Sequence, residues 1–366
     1  MARKAGKVGS GAVPRHLPST VRDFTGRTDY LKVLDAQVPS GSDVEQSGAV
    51  VISVVDGMAG IGKTTLVVHW AHRAQPHFPD GTLYANLRGY GPGEPATSGE
   101  VLNGFLGALG TPAERIPPSV EAQAGLYRSL LVGRRVLVVL DNANNSEQVR
   151  SLLPASPGAV VVVTSRDSLT GLVVTEGATR LTLDLLTQDE ALALVARIVG
   201  APGAAAEPDA LANLVRLCVR LPLALRIAAG RIAMSPHTSV ADVVEELADD
   251  RNRLDVLSRN RDERTAIRCV FDWSYRQLTP VQARLFRRLG LHPGPDFSLR
   301  AAAILGEMSV SDTRRELEGL TRANLVEQMS AHQYGLHDLL RVYAAEKVNS
   351  HDTPDVRDAA MEVILT

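Results

Sequence analysis

The sequence is short of cysteine and of aromatic rings. Its 366 residues include two cysteines, Cys218 and Cys269. Two thiols so far apart give neither a disulfide framework nor a metal-ligand cluster. Both are expected to act as small buried hydrophobes, in a reducing cytoplasm. Aromatic residues make up 4% of the chain, so Val, Leu and Ala must fill its core. An excess of one charge is also missing. Lys and Arg number 39 against 41 Asp and Glu, for a formal net charge of −2. Nothing there suggests a chain built to coat nucleic acid or a membrane. No apolar run reaches the ~20 residues that span a bilayer. The basic residues Arg3, Lys4 and Lys7 precede no apolar stretch, so they do not open a signal peptide. A hydrophobic fraction of 45% and a charged fraction of 22% fit a soluble globular protein. The length suggests two to three domains.

Residues 1–20 are rich in Gly, Pro, Ser and Lys/Arg and are expected to form a flexible tail. A helical pattern with Leu31 and Leu34 on one face follows, then a polar loop at 39–48. Strands are expected near 49–55, 82–87, 135–140, 159–164 and 180–185. Helices are expected near 63–74, 99–109, 120–131 and 146–153. This alternation predicts an α/β fold with a mostly parallel sheet covered on both faces. Val136–Leu140 and Val160–Val163 are continuous apolar runs, as central parallel strands should be. After Leu186 the character changes. Thr187-Gln188-Asp189-Glu190 is a capping box that opens a run of helices to about 257, interrupted by a loop at 201–208. A third segment is expected from 263. Thr279-Pro280-Val281-Gln282 combines an N-cap, Pro at N1 and Gln at N3. Helices near 265–277, 280–289, 298–305 and 311–322 lead to a hairpin between 325–328 and 334–336, a winged-helix pattern. The expected boundaries are therefore 21–186, 187–262 and 263–350, with a C-terminal segment at 351–366.

The run Gly57-Met58-Ala59-Gly60-Ile61-Gly62-Lys63-Thr64-Thr65 fits the phosphate-loop spacing. An apolar β-branched run precedes it and a potential helix follows. Such a turn aims backbone N–H groups and the positive end of a helix at one point. Lys63 would reach the β- and γ-phosphates, and Thr64 would offer a hydroxyl to Mg²⁺. Asp141 ends the apolar run at 136–140, where the carboxyl ends of parallel strands face a ligand crevice. It is the candidate carboxylate for Mg²⁺. Asn142 follows it, and an amide cannot accept a proton from an attacking water. Arg166 ends another buried strand, where it could meet a γ-phosphate or serve only a surface salt bridge or a helix-capping turn. Pro222 could simply start a helix at N1. His337 and Asp338 at the last strand-to-helix turn could be structural. The helix around Arg314 and Arg315 carries mixed charge and suits a solvated face.

Taken in order, these pieces resemble the NB-ARC module of STAND-class nucleotide switches, over about residues 20–350. Phe24-Thr25-Gly26-Arg27 resembles the motif that covers the adenine. Gly57–Thr65 resembles Walker A, Leu137–Asp141 resembles Walker B, and Thr164–Arg166 resembles sensor 1. Leu221-Pro222-Leu223-Ala224 resembles the GLPL motif, whose Pro packs on adenine. Leu336-His337-Asp338 resembles the MHD motif, whose His contacts the β-phosphate of ADP. Arg220 stands where GLPL has Gly, Leu336 where MHD has Met, and Asn142 where a second Walker B acid is usual. The Asp141-Asn142-Ala143 variant further resembles the ATPase module of actinobacterial antibiotic regulatory proteins. There a DNA-binding domain precedes the module and helical repeats follow it.

The resemblance implies an ATP/ADP switch with Mg²⁺, slow hydrolysis, and homo-oligomerisation when ATP is bound. Its partners would be DNA-binding and repeat domains outside these residues, with no specific DNA contact by this chain and no membrane. Two other readings are a stand-alone P-loop kinase or ATPase and a DNA-binding winged-helix regulator.

Overall fold

Valine runs dictate the centre of the molecule. In a computed structural model, which describes residues 13–39, 50–91, 93–235, 237–258, 267–294 and 296–352, they form a five-stranded sheet. Its strands are β1 (Val51–Asp56), β2 (Gly81–Asn86), β3 (Val136–Ala143), β4 (Val160–Ser165) and β5 (Thr179–Thr182), in the order β2-β3-β4-β1-β5. Every pairing is parallel. Successive side chains point to opposite faces. Leu137, Val139, Val160 and Val162 join the core on one face, while Val136, Val138, Leu140, Val161 and Val163 join that on the other. A strand buried on both faces must be apolar at every position, which is why these runs do not alternate.

Helices α1 (Thr28–Asp35), α2 (Lys63–Ala74), α3 (Ser98–Ala108), α4 (Val120–Leu131), α5 (Ser146–Arg150) and α6 (Thr170–Glu176) accompany the sheet. Thr97 and Glu100 form a capping box on α3, and the Ser119 side chain caps α4. Strand β5 stops three residues before the expected 185. The Leu183 amide still donates to Asp56 O, and then the chain leaves the sheet to bury Leu183 and Leu186.

The rest is mainly helical: α7 (Gln188–Val199), α8 (Ala201–Ala206), α9 (Pro208–Leu217), α10 (Pro222–Met234), α11 (Val240–Ala248), α12 (Asp250–Val256), α13 (Ile267–Tyr275), α14 (Pro280–Leu289), α15 (Leu299–Gly306), α16 (Val310–Arg322) and α17 (Asp338–His351). Three short strands, β6 (Asp296–Ser298), β7 (Glu327–Gln328) and β8 (Gln333–Gly335), make an antiparallel sheet in the order β6-β8-β7. One hydrophobic core runs without a break from Leu66 and Trp70 through Leu214 and Leu225 to Phe286 and Tyr343.

Several expectations are corrected. The loop expected at 201–208 is largely α8, because Pro202 sits in the first turn, where its missing N–H costs nothing. Strand β6 carries no sequence signal of its own. Cys269 is only partly buried, unlike Cys218. Residues 13–18 are not a free tail. Thr82 on β2 donates to Pro14 O at 2.8 Å, His16 donates back to Thr82 O at 3.1 Å, and Arg15 donates to Phe78 O. The rest of the expected tail, the loop at 40–48, residues 259–266 and the segment beyond 352 lie outside the described residues.

Between α9 and α10 the chain turns through two left-handed residues, Val219 (φ 52°) and Arg220 (φ 58°). Side chains with a Cβ resist this region, at about 1–2 kcal/mol per residue. Arg220 is exposed, so little packing would be lost by removing its side chain. Arg220→Gly is therefore expected to stabilise the chain by about 1 kcal/mol. A higher thermal midpoint would bear this out, and a lower one would show that the Arg220 side chain has a structural partner.

Candidate functional site

The loop between β1 and α2 bends at three glycines with positive φ: Gly57 (140°), Gly60 (80°) and Gly62 (96°). Such angles suit glycine because it lacks a Cβ. The loop's carbonyls are held by three different parts of the chain. Lys63 Nζ donates to Gly57 O at 2.7 Å and Met58 O at 2.9 Å. The Leu223 amide of α10 donates to Gly60 O at 3.2 Å. Arg27 donates to Ile61 O at 3.2 Å and to Asp184 O at 2.7 Å. The first N–H groups of α2 have no intrahelical acceptor, which leaves them available to an anion. Lys63 is buried, and burial lowers its ammonium pKa from 10.5 to about 7. Arg166 contributes to that lowering, against the opposite pull of Asp56 and Asp141.

Asp141 and Thr64 are brought together. Thr64 Oγ1 donates to Asp141 Oδ1 at 2.6 Å. Thr164 Oγ1 donates to the same oxygen at 2.6 Å, and the Tyr84 hydroxyl donates to Oδ2 at 3.1 Å. Sequence reasoning missed Tyr84, which lies on a neighbouring strand and has no motif around it. Burial first, and then Asp141, raises the Tyr84 phenol well above its ordinary value, so it stays a donor. One hydroxyl and one carboxylate, completed by phosphate and water, are a donor set that Mg²⁺ accepts. Among the described residues no cluster of three His, Cys, Asp or Glu side chains could hold a metal alone.

Lys63, Thr64, Thr65, Gly60, Gly62 and Asp141 line a cavity of about 430 Å³. Pro222, Leu223 and Arg226 of α10 form another part of its wall, and Val270 and Trp273 of α13 a third. Pro222 is also the first residue of α10, so the two readings of that proline are compatible. Arg166 lines the cavity as well, but its guanidinium is engaged. It donates to Val270 O at 2.6 Å and to Ser274 Oγ at 2.9 Å. The Tyr90 and Trp273 rings flank it at 5.0 and 5.7 Å. Burial lowers it to about 10. It is therefore neither a surface salt bridge nor free.

Other expected residues lie elsewhere. The Phe24 ring stacks on His69 of α2 at 3.9 Å and does not line the cavity. Gly26 (φ 69°) and Arg27 (φ 64°) shape the entry to α1, and Arg27 grips the loop from behind. His337 is also separated from Lys63. It lines a second cavity of about 570 Å³ with Met58, Ile61, Thr321 and Leu340. The phosphate loop divides the two spaces. Its glycines face Lys63, while the apolar Met58 and Ile61 turn toward the core. Both His337 ring nitrogens are enclosed and lack a hydrogen-bond partner of normal geometry, although the Val219 backbone lies alongside. Burial lowers His337 from 6.5 to about 4.

A parallel sheet in this order, with a Lys–Thr loop beside a strand-terminal Asp, defines a P-loop NTPase fold. The chain is similar over 89% of its length to 97% of a Walker-type ATPase of Pyrococcus abyssi, at 13% identity and a TM-score of 0.58. Residues 41–204 match the NB-ARC domain. That segment of the chain is therefore an NB-ARC domain. It is 45% identical to the regulatory protein AfsR of Streptomyces coelicolor over 359 residues, covering 96% of this chain and 35% of that protein. The AfsR of Streptomyces griseus is 43% identical over 346 residues, covering 94% and 34% respectively. The chain thus spans about a third of these curated relatives. Among the described residues, no helix is long and apolar enough to cross a membrane.

The enclosed His337 makes stability depend on pH. Its folded pKa lies below its unfolded value, so between about 6.5 and 4 the unfolded chain binds the extra proton. Stability therefore falls as pH drops through that window, by up to about 3 kcal/mol from this group. Denaturant unfolding of the wild type and His337→Leu from pH 7 to 4 checks this. The variant should lose that part of the slope, and parallel curves would show that His337 is hydrated.

Proposed function

We propose that this chain is the adenine-nucleotide switch of a larger regulator. One observation carries the reading. The cavity that holds Lys63, Thr64 and Asp141 is walled by α10 and α13, so a ligand seated there touches all three segments of the chain. Among the described residues Lys63, Arg88, Arg166 and Arg226 line it against one carboxylate, Asp141, while Arg88 and Arg226 also pair with Glu100 and Asp23 outside the lining. That balance suits a polyphosphate. Lys63 and the α2 N-terminus hold the phosphates, and Pro222 meets the base. Thr64 and Asp141 would hold Mg²⁺, which supplies neutralising charge to the phosphates when bound.

The segments at 21–186, 187–262 and 263–350 act as a P-loop domain, a helical domain and a winged helix. Helices α13–α16, the β7–β8 hairpin and the added strand β6 support the winged-helix reading. In the ADP state the winged helix stays docked. Asn324 donates to Arg166 O and Ser168 to Arg322 O, besides the Arg166 bonds to α13. His337 contributes from behind the loop, against Met58 and Ile61, rather than by the β-phosphate contact that the resemblance implies. A third phosphate competes for Arg166, loosens these contacts and permits oligomerisation. Inverting a 1:99 mixture needs about 10⁴-fold discrimination between states, more than one arginine supplies, so other domains must share the work. DNA reading belongs to those domains. Arg315 is paired with Asp312 and Glu316, which leaves α16 a poor basic face.

The phosphate grip is tested at Lys63. Lys63→Ala is expected to weaken ADP and ATP by about 1.5–3 kcal/mol, the worth of a charged hydrogen bond. Calorimetry measures it, and unchanged affinity overturns the site.

Hydrolysis is expected to be slow. Among the described residues Asp141 is the only carboxylate lining the cavity, and it is already engaged by three hydroxyls. Steady-state phosphate release should stay below about 1 s⁻¹, the low end of ordinary enzymes. Turnover of tens per second would reveal another base.

A further inference from the structure

Asn142 occupies the position where a second acid would be expected, so it looks like a catalytic residue lost. Its surroundings suggest a different role. Its backbone is left-handed, at φ 60°, a conformation that Asn and Asp tolerate better than most residues. Beyond β2 the chain is sewn to the residues around Asn142. Leu87 N donates to Asp141 O at 2.7 Å and Gly89 N donates to Asn142 O at 2.8 Å. The approach is so close that a Cβ on Gly89 would lie 2.4 Å from Asn144 N. The Asn142 side chain closes this seam, as its Nδ2 donates to Tyr90 O at 2.7 Å. Only the amide nitrogen can make that bond, since the partner is a carbonyl. The Tyr90 ring then lies over the Arg166 guanidinium, with Trp273 also against that group.

We propose that Asn142 is a positioning residue whose amide pins the Tyr90 loop and so holds Arg166 in its aromatic cage against α13. The amide is required there because a carboxylate would face the Tyr90 carbonyl with no proton to donate. The position has thus exchanged water activation for control of Arg166. Hydrolysis and the grip on α13 place opposite demands on one side chain. This rests on the nucleotide-switch reading for its purpose but not for its geometry.

Asn142→Asp tests it, because Asp is nearly isosteric, tolerates the same backbone angle and replaces the donor with a charged acceptor. The readout is NMR of the arginine side chains in the full chain, with Arg166 assigned by its loss in Arg166→Lys. In the wild type, ring currents from Tyr90 and Trp273 displace the Arg166 signals. In Asn142→Asp and in Tyr90→Leu they should move back toward the ordinary arginine position, and phosphate release by Asn142→Asp should not rise. Arg166 signals that stay in place in Asn142→Asp while moving in Tyr90→Leu would overturn the pin. So would faster phosphate release by Asn142→Asp, which would make position 142 a vacant catalytic place. The NMR arm needs no nucleotide. A wild type that binds neither ADP nor ATP would therefore sink the switch reading and leave the pin to be judged on its own signals.

Discussion

The rest of the structure depends on where the carbonyls of the phosphate loop point. A loop of five or six peptide units has as many acceptors as donors. It can bind an anion only if its acceptors are turned away. Here Lys63 takes those of Gly57 and Met58, Leu223 takes that of Gly60, and Arg27 takes that of Ile61. Those donors come from the helix after the loop, from the helical segment and from the chain before the sheet. The conformation of the loop is therefore not a local property, although its glycines make it possible. Moving α10 or the segment around Arg27 changes the loop, and filling the loop must be felt by both.

The opposite wall of the cavity is organised by a single cation. Arg166 leaves the end of β4 and gives its hydrogen bonds to α13 rather than to solvent. A guanidinium suits this place because it can stack on rings and donate in its own plane at the same time. A lysine ammonium has no such plane to share between the rings and the acceptors. The unbroken core from Trp70 to Tyr343 adds a cost to any separation of the segments. Each square ångström of apolar surface opened would cost roughly 25 cal/mol.

What was legible in the sequence was what is settled locally. The spacing of Gly57, Gly62, Lys63 and Thr64 forces a loop, and the valines at 160–163 can belong only to a strand covered on both sides. The boundaries of β1 to β4 fall within a few residues of expectation for that reason. The capping boxes at Thr187 and Thr279 also form as expected. What was not legible depends on distant partners. Strand β6 is three residues long and exists because Phe297 pairs with Tyr334. The contacts of Tyr84, Tyr90 and Trp273 follow from strand register and helix docking, which leave no pattern along the chain. His337 shows the limit of motif reasoning. The turn is recognisable, yet the side of the loop it faces is decided by where Met58 and Ile61 bury their side chains.

Residues 13–18 have a consequence of another kind. An open β2 would offer its N–H and C=O groups to any extended chain nearby, the usual route by which sheets join edge to edge. The short stretch Pro14-Arg15-His16-Leu17-Pro18 occupies that edge at Thr82. The two prolines that bracket it have no N–H to extend a ladder. This edge of the sheet is thus ended by a short stretch that cannot itself be copied, which guards β2 against pairing with a second copy at that point.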